Sequence, residues 1–131
     1  MNTTVLLDTH ALHWWTSEPD RLSKPATAAI ELADELAVAA ITWHELAWLG
    51  YHGRILVAIP VRTWLTELSR DVRTLPITPA IADTAATLHE SFPGDPADRL
   101  IYASAIEHGI ELVSKDRRLR NHPHPRPIVV W

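Results

Sequence analysis

Cysteine is absent from the 131 residues, so the chain has no disulfide framework and no thiolate metal site. Any metal it holds must be bound by carboxylates, histidine or water, a pattern compatible with a cytoplasmic bacterial protein. The first residues, Met1-Asn2-Thr3-Thr4, lack the basic region of a signal peptide, and no apolar run approaches the length of a membrane span. The chain therefore reads as one that starts at Met1, is not secreted and has no membrane partner. A net charge of −4 leaves no basic excess of the kind needed to coat nucleic acid. The sequences G-x-S-x-G, G-x-x-x-x-G-K-[ST] and G-x-G-x-x-G are missing, which removes the acyl-transfer, P-loop and dinucleotide readings. No internal repeat or low-complexity tract is visible.

The composition, 47% hydrophobic, suffices for one self-supporting core, read as a single domain over residues 1–131. Short apolar runs at Thr3 to Leu7, Leu36 to Ile41, Arg73 to Ile77, Glu111 to Ser114 and Ile128 to Trp131 read as strands. Pro76 confines the third to an edge or a strand end, and the last reads as an edge strand. Helices are expected from His10 to Ser17, from a Ser23 cap toward Asp34, from a Thr42-Trp43-His44-Glu45 capping box to about Gly50, from Pro60 to Ser69, and from Thr78-Pro79 toward His89. A further helix opens at Asp95 as N-cap, has Pro96 first and Asp98 third, and ends at Gly109. Asn121 to Pro127 is proline-rich and loop-like.

Strands alternating with helices predict a parallel α/β sandwich, because parallel strands need helical crossovers on the sheet faces. Ligands of such sheets bind beyond the carboxyl ends of the strands. Asp8, Glu45 and Asp116 each follow a strand, and Asp98 heads a helix whose start can face the same crevice. Two carboxylates about 5 Å apart repel by roughly 3 kcal/mol at an effective dielectric of 20, whereas a helix dipole offsets only about 0.3–1 kcal/mol. Four converging acids must therefore take up protons or bind a cation, and an all-oxygen site suits Mg²⁺ or Mn²⁺. Taken singly, each acid also reads as a cap or a first-turn acid.

Lys115, Arg117, Arg118, Arg120 and Arg126 gather five of the twelve basic side chains into one stretch, beside His122 and His124. They form either a solvated turn or a phosphate-contacting rim. His10 and His13 lie three apart with no third ligand at matching spacing, so zinc is not expected. Trp14, Trp15, Trp43, Trp48 and Trp64 sit on the early helices. Most belong to the core, and an exposed subset would mark a partner groove or a dimer face.

The segments L-L-D-T-H-A-L-H-W-W, T-W-H-E-L, D-P-A-D-R-L-I-Y-A-S-A and L-V-S-K-D, in this order across nearly the whole chain, resemble a PIN-domain ribonuclease of the VapC toxin type. The resemblance implies a three-layer sandwich with five parallel strands in the order 3-2-1-4-5. It also implies an Mg²⁺ or Mn²⁺ site formed by Asp8, Glu45, Asp98 and Asp116. Asp95, Thr9 and Ser114 would stand behind these acids as cap or orienting groups. His10 departs from the small apolar residue that many relatives have after Asp-Thr. Phosphodiester hydrolysis of RNA by metal-activated water is the expected activity, leaving 5′-phosphate and 3′-hydroxyl ends. Arg99, Lys115, Arg117 and Arg118 are the candidate contacts to the RNA backbone, though Arg99 has an alternative role in pairing with a nearby carboxylate. The expected partners are a VapB-like inhibitory antitoxin laid across the tryptophan-bearing helices, a structured RNA such as tRNA or rRNA, and a second copy in a homodimer. Two rivals stand beside this reading. One is a non-catalytic interaction module whose acids only cap helices. The other is an aspartyl phosphatase using Asp8, against which stands the missing second acid, since Thr9-His10 follows.

Overall fold

Apolar segments and helices alternate along a computed structural model of the chain, which describes residues 2–122 and 127–131. Met1, His124 and Arg126, and most of the stretch expected to be a proline-rich loop, lie outside the described residues. Strand β1 (Thr4–Leu7) stands at the centre of the sheet. β2 (Glu35–Ala39) and β3 (Arg73–Leu75) flank it on one side, and β4 (Glu111–Val113) and β5 (Val129–Val130) on the other. Every neighbouring pair is parallel and the order is 3-2-1-4-5, with β3 and β5 at the edges.

Because side chains alternate across a strand, the same strands feed two cores. Val5, Leu7, Val38 and Val113 pack against α1 (Thr9–Ser17), α2 (Lys24–Leu32), α3 (Ile41–Tyr51) and α4 (Val61–Ser69) through Leu12, Ile30, Leu46 and Leu68. Leu6, Ala37, Ala39 and Leu112 face the opposite way, onto Ile101, Tyr102 and Ala105 of α6 (Pro96–His108) and Leu119 of the short α7 (Arg117–Arg120). α5 (Pro79–Thr87) reaches α6 rather than the sheet, through Ile81, Ala85 and Ala103. Helices on both faces make three layers, as parallel strands require. Trp14 is buried, while Trp15, Trp43 and Trp64 pack partly buried against the first core. Trp48 is 46% exposed.

The expected caps at Ser23, Thr78 and Asp95 are all present, and Gly109 closes α6 at φ 63°, the left-handed value that favours glycine. The capping box at Thr42 is not. Ala40 is already helical and caps α3 without a side chain, so Thr42 falls inside the first turn and is fully buried. Its hydroxyl lies 3.2 Å from that of Thr9, which satisfies both groups away from water. β2 ends at Ala39 because Ile41 begins α3, and β3 ends before Pro76, which has no N–H for a ladder.

Arg99 corrects a second expectation. Its guanidinium donates to the carbonyls of Pro93 at 3.0 Å, Ala85 at 3.1 Å, and Leu88 and Phe92 at 3.4 Å. Among the described residues it pairs with no carboxylate, against the alternative expected for it. A fork of donors on the carbonyl end of α5 ties that helix and the 88–93 loop to α6, a role in the fold. Replacing Arg99 with Ala should cost about 2–4 kcal/mol in denaturant unfolding. Arg99→Lys should recover only part of it, because one ammonium cannot reach carbonyls spread this way. An Ala variant as stable as the parent would show that these bonds do not hold the loop.

Candidate functional site

β1 and β4 are adjacent and parallel, so whatever follows them emerges at the same edge. Asp8 follows β1 at once, and its N–H donates to Val113 O of β4 at 3.1 Å. Asp8 is also the N-cap of α1, with Oδ1 accepting from the Ala11 N–H at 2.8 Å. After β4, the Ser114 hydroxyl bonds the Asp8 carboxyl and accepts from the Asp116 N–H at 3.1 Å. Asp116 in turn caps α7. α3 leaves the end of β2 and carries Glu45 one turn in, where it accepts a hydrogen bond from Thr9 Oγ1. Asp98 comes from the first turn of α6, whose N-terminal dipole favours a carboxylate there.

Asp8, Glu45, Asp98 and Asp116 thus line one cavity of about 210 Å³, together with Thr9, His10, Trp14, Ile101, Lys115 and Arg118. A cavity of about 240 Å³ at the other end of β4 has Glu111 as its one titratable side chain among the described residues.

The electrostatics separate the four acids. Burial pushes the Asp8 carboxyl above its ordinary range, although Ser114, the Ala11 N–H and His10 all pull the other way. The Asp98 carboxyl is pushed up to about 6, first by burial and then by Asp95, Asp116 and Glu45. Asp116 goes down, because Arg118 hydrogen-bonds it: Nη2 lies 2.7 Å from Oδ2 and Nε 3.1 Å from Oδ1. The same Nη2 lies 3.5 Å from Asp98 Oδ2, so the guanidinium neutralises mainly Asp116 and leaves Asp98 short of a counter-charge.

Among the described residues no three His, Asp or Glu side chains are drawn together into a finished metal cage. Arg118 hydrogen-bonds Asp116, and Thr9 hydrogen-bonds Glu45. The donor set nevertheless fits a hard divalent ion. It consists of carboxylate oxygens, two of the carboxyls are held above their ordinary range by burial, and the cavity leaves space for an ion that keeps several waters.

Thr9 and Ser114 stand where orienting groups were expected. Asp95 caps α6, accepting from the N–H groups of Ala97 at 2.8 Å and Asp98 at 3.3 Å, and lines a neighbouring groove rather than the acid cavity. Lys115 and Arg118 line the cavity, whereas Arg117 is exposed and outside its lining. Sequence reasoning missed two participants. Thr42 supports Thr9, and Trp14 forms a wall whose ring lies 5.7 Å from Lys115 Nζ. A buried threonine and a core tryptophan carry no spacing signal that marks them.

The PIN domain family model matches residues 5–125. A curated protein, Ribonuclease VapC22 of Mycobacterium tuberculosis (strain ATCC 25618 / H37Rv), is 66% identical over 129 residues, covering 98% of this chain and 99% of that protein. Among solved structures, DNA-bound VapBC from Salmonella typhimurium superimposes with a TM-score of 0.72 at 16% identity, covering 98% of this chain and 97% of that one. VapBC2 from Rickettsia felis, bound to a DNA fragment from its promoter, gives 0.70 at 14% with 97% of each covered. A toxin-antitoxin complex from Klebsiella pneumoniae gives 0.68 at 23%, covering 97% and 96%. At such identities these structures speak for the fold alone. No helix among the described residues is long and apolar enough to cross a membrane.

The raised Asp98 carboxyl has a consequence for stability. The folded chain holds this proton more tightly than the unfolded chain, whose value is the ordinary 3.8. The resulting stabilisation is complete below that value and is lost as the pH rises through about 6. Asp98→Asn cannot ionise, so without metal it should be more stable than the parent at pH 7, by about 1–2 kcal/mol once solvent screening is allowed for. The advantage should disappear by about pH 4. Denaturant unfolding at the two pH values checks this, and a variant no more stable at pH 7 contradicts it.

Proposed function

The chain belongs to the PIN-domain family, and from that premise we propose that it is a metal-dependent endoribonuclease, the toxin of a VapBC-type toxin–antitoxin pair. The observation that carries this reading is the meeting of Asp8, Glu45, Asp98 and Asp116, from four separate segments, on one cavity at the carboxyl edge of the sheet. The 66% identity with a protein named as a ribonuclease supports the activity, and the complexes among the structural relatives support the pairing. A non-catalytic module, or acids that served only as caps, would not need Glu45, which caps nothing in α3.

Asp8, Asp98 and Asp116, with Glu45, are the residues that would hold Mg²⁺ or Mn²⁺. When bound, the ion supplies positive charge beside the scissile phosphate and makes a nearby water more acidic. The chain's own residues do the positioning. The Ala11 N–H and Ser114 fix Asp8, Thr9 fixes Glu45, and the α6 N-terminus aims Asp98. Lys115 and Arg118 give the cavity a cationic rim for the flanking phosphates. Attack by water forms one P–O bond and breaks the P–O3′ bond, leaving a 5′-phosphate and a 3′-hydroxyl.

The antitoxin is proposed to dock on the groove of about 450 Å³ between α1 and α2, lined by Trp15, Leu22 and Ile30. The exposed Tyr51 and Leu56, beyond the working face of α3, are proposed for a second copy. Co-expression with the product of the adjacent gene should give a complex in which RNA cleavage is suppressed, while the chain alone runs as a dimer in light scattering. A free, fully active chain in that co-expression would remove the antitoxin from the reading.

Mn²⁺ should raise the melting temperature and support cleavage of structured RNA, and Asp8→Asn and Asp98→Asn should lose both effects. In the same titration, Arg118→Ala should bind Mn²⁺ about tenfold more tightly, because it removes a positive charge that competes for Asp98 and Asp116. RNA cleavage by Asp98→Asn at the parent's rate, or no thermal response to the metal, would sink the assignment.

A further inference from the structure

Beside the acid cavity runs a second groove, of about 470 Å³, between α3 and the start of α6. Its apolar walls are Ile41, Trp48 and Leu49 on one side and Pro96 and Ala97 on the other. His10 and Glu45 line both spaces, which therefore share a wall.

Trp48 is the unusual member. Almost half of its surface is open to solvent, yet its ring is held in place. It stacks on the His52 ring at a centroid distance of 4.0 Å and an interplanar angle of 18°, and His52 Nδ1 lies 2.8 Å from the Trp48 carbonyl oxygen. A large aromatic fixed by its own helix and left open to water loses little conformational freedom when a flat partner settles on it.

Charge decides which part of a nucleotide belongs there. Lys115 and Arg118 line the acid cavity and are absent from the groove, where the carboxylates of Glu45 and Asp95, beside the imidazoles of His10 and His44, would repel a phosphate. A neutral, planar base suits the groove, while the phosphate beside it stays at the cationic rim.

We propose that this groove is a nucleobase subsite with Trp48 as its stacking platform. Resting on the ribonuclease reading, it makes the preferred substrate a strand whose base next to the cleaved phosphate is unpaired and turned out, as in a loop. A-form pairing hides the faces that Trp48 needs.

The test separates this proposal from the reading on which it rests. If the parent chain with Mn²⁺ cuts no RNA, the ribonuclease reading fails first. Binding of a short labelled single-stranded RNA is then measured by fluorescence anisotropy in the full chain carrying Asp98→Asn, which keeps the probe intact. Adding Trp48→Ala should weaken binding about tenfold, as should Trp48→Leu, which keeps apolar bulk without a stacking face. Trp48→Phe should stay within about threefold of the Asp98→Asn chain, a rescue that mere damage to the fold would not give. A fully paired duplex of the same sequence should bind all four chains alike. Equal single-strand binding by Trp48→Ala, or equal losses for strand and duplex, overturns the proposal. So does a Trp48→Ala chain that loses only its protein partner, which would assign the groove to the antitoxin.

Discussion

Carboxylate repulsion at one edge of a parallel sheet is the constraint on which the rest of this structure depends. Parallel strands discharge their following residues on the same side, so the residues after β1 and β4 are bound to be neighbours. Here those residues are Asp8 and, two positions past Ser114, Asp116. α3 and α6 then add Glu45 and Asp98 to a cavity that already has more negative charge than burial tolerates.

The surrounding chain offsets that charge without cancelling it. Arg118 takes Asp116, and the α6 dipole and a distant contact with the same guanidinium take part of Asp98. Thr9, itself bonded to Thr42, ties down Glu45 with a neutral donor, which fixes its direction and leaves its charge in place. Asp8 receives a backbone N–H and a serine hydroxyl, yet burial still outweighs them. The result is a cavity whose carboxyls are held in place and whose charge is incompletely neutralised, the ground on which a cation is proposed for it.

Most of this frame was legible in the sequence because it is written in local chemistry. Asp95-Pro96 followed by Asp98 announces a helix start, and the structure separates the two acids as their places in the first turn require: Asp95 caps, Asp98 faces the cavity. The alternation of apolar runs with helices yields the parallel sheet, since the crossovers leave few other solutions. What was not legible is tertiary. T-W-H-E has the spacing of a capping box, but the helix begins at Ile41, and the buried Thr42 answers to Thr9, thirty-three residues away. Arg99 looks like any exposed cation until the carbonyl end of α5 is brought beside it. Neither the groove beside Trp48 nor the exposure of its ring follows from the position of Trp48 in α3.

The measurement that bears most directly on the proposed cation site is the count of protons released when Mn²⁺ binds. It is obtained from calorimetric titrations in buffers of different ionisation enthalpy. With the Asp98 carboxyl near 6, binding at pH 6 should release at least about half a proton per ion, and binding at pH 8 should release fewer. Binding that releases no protons at pH 6, or the same number in the parent and in Asp98→Asn, would place the metal somewhere other than this cavity.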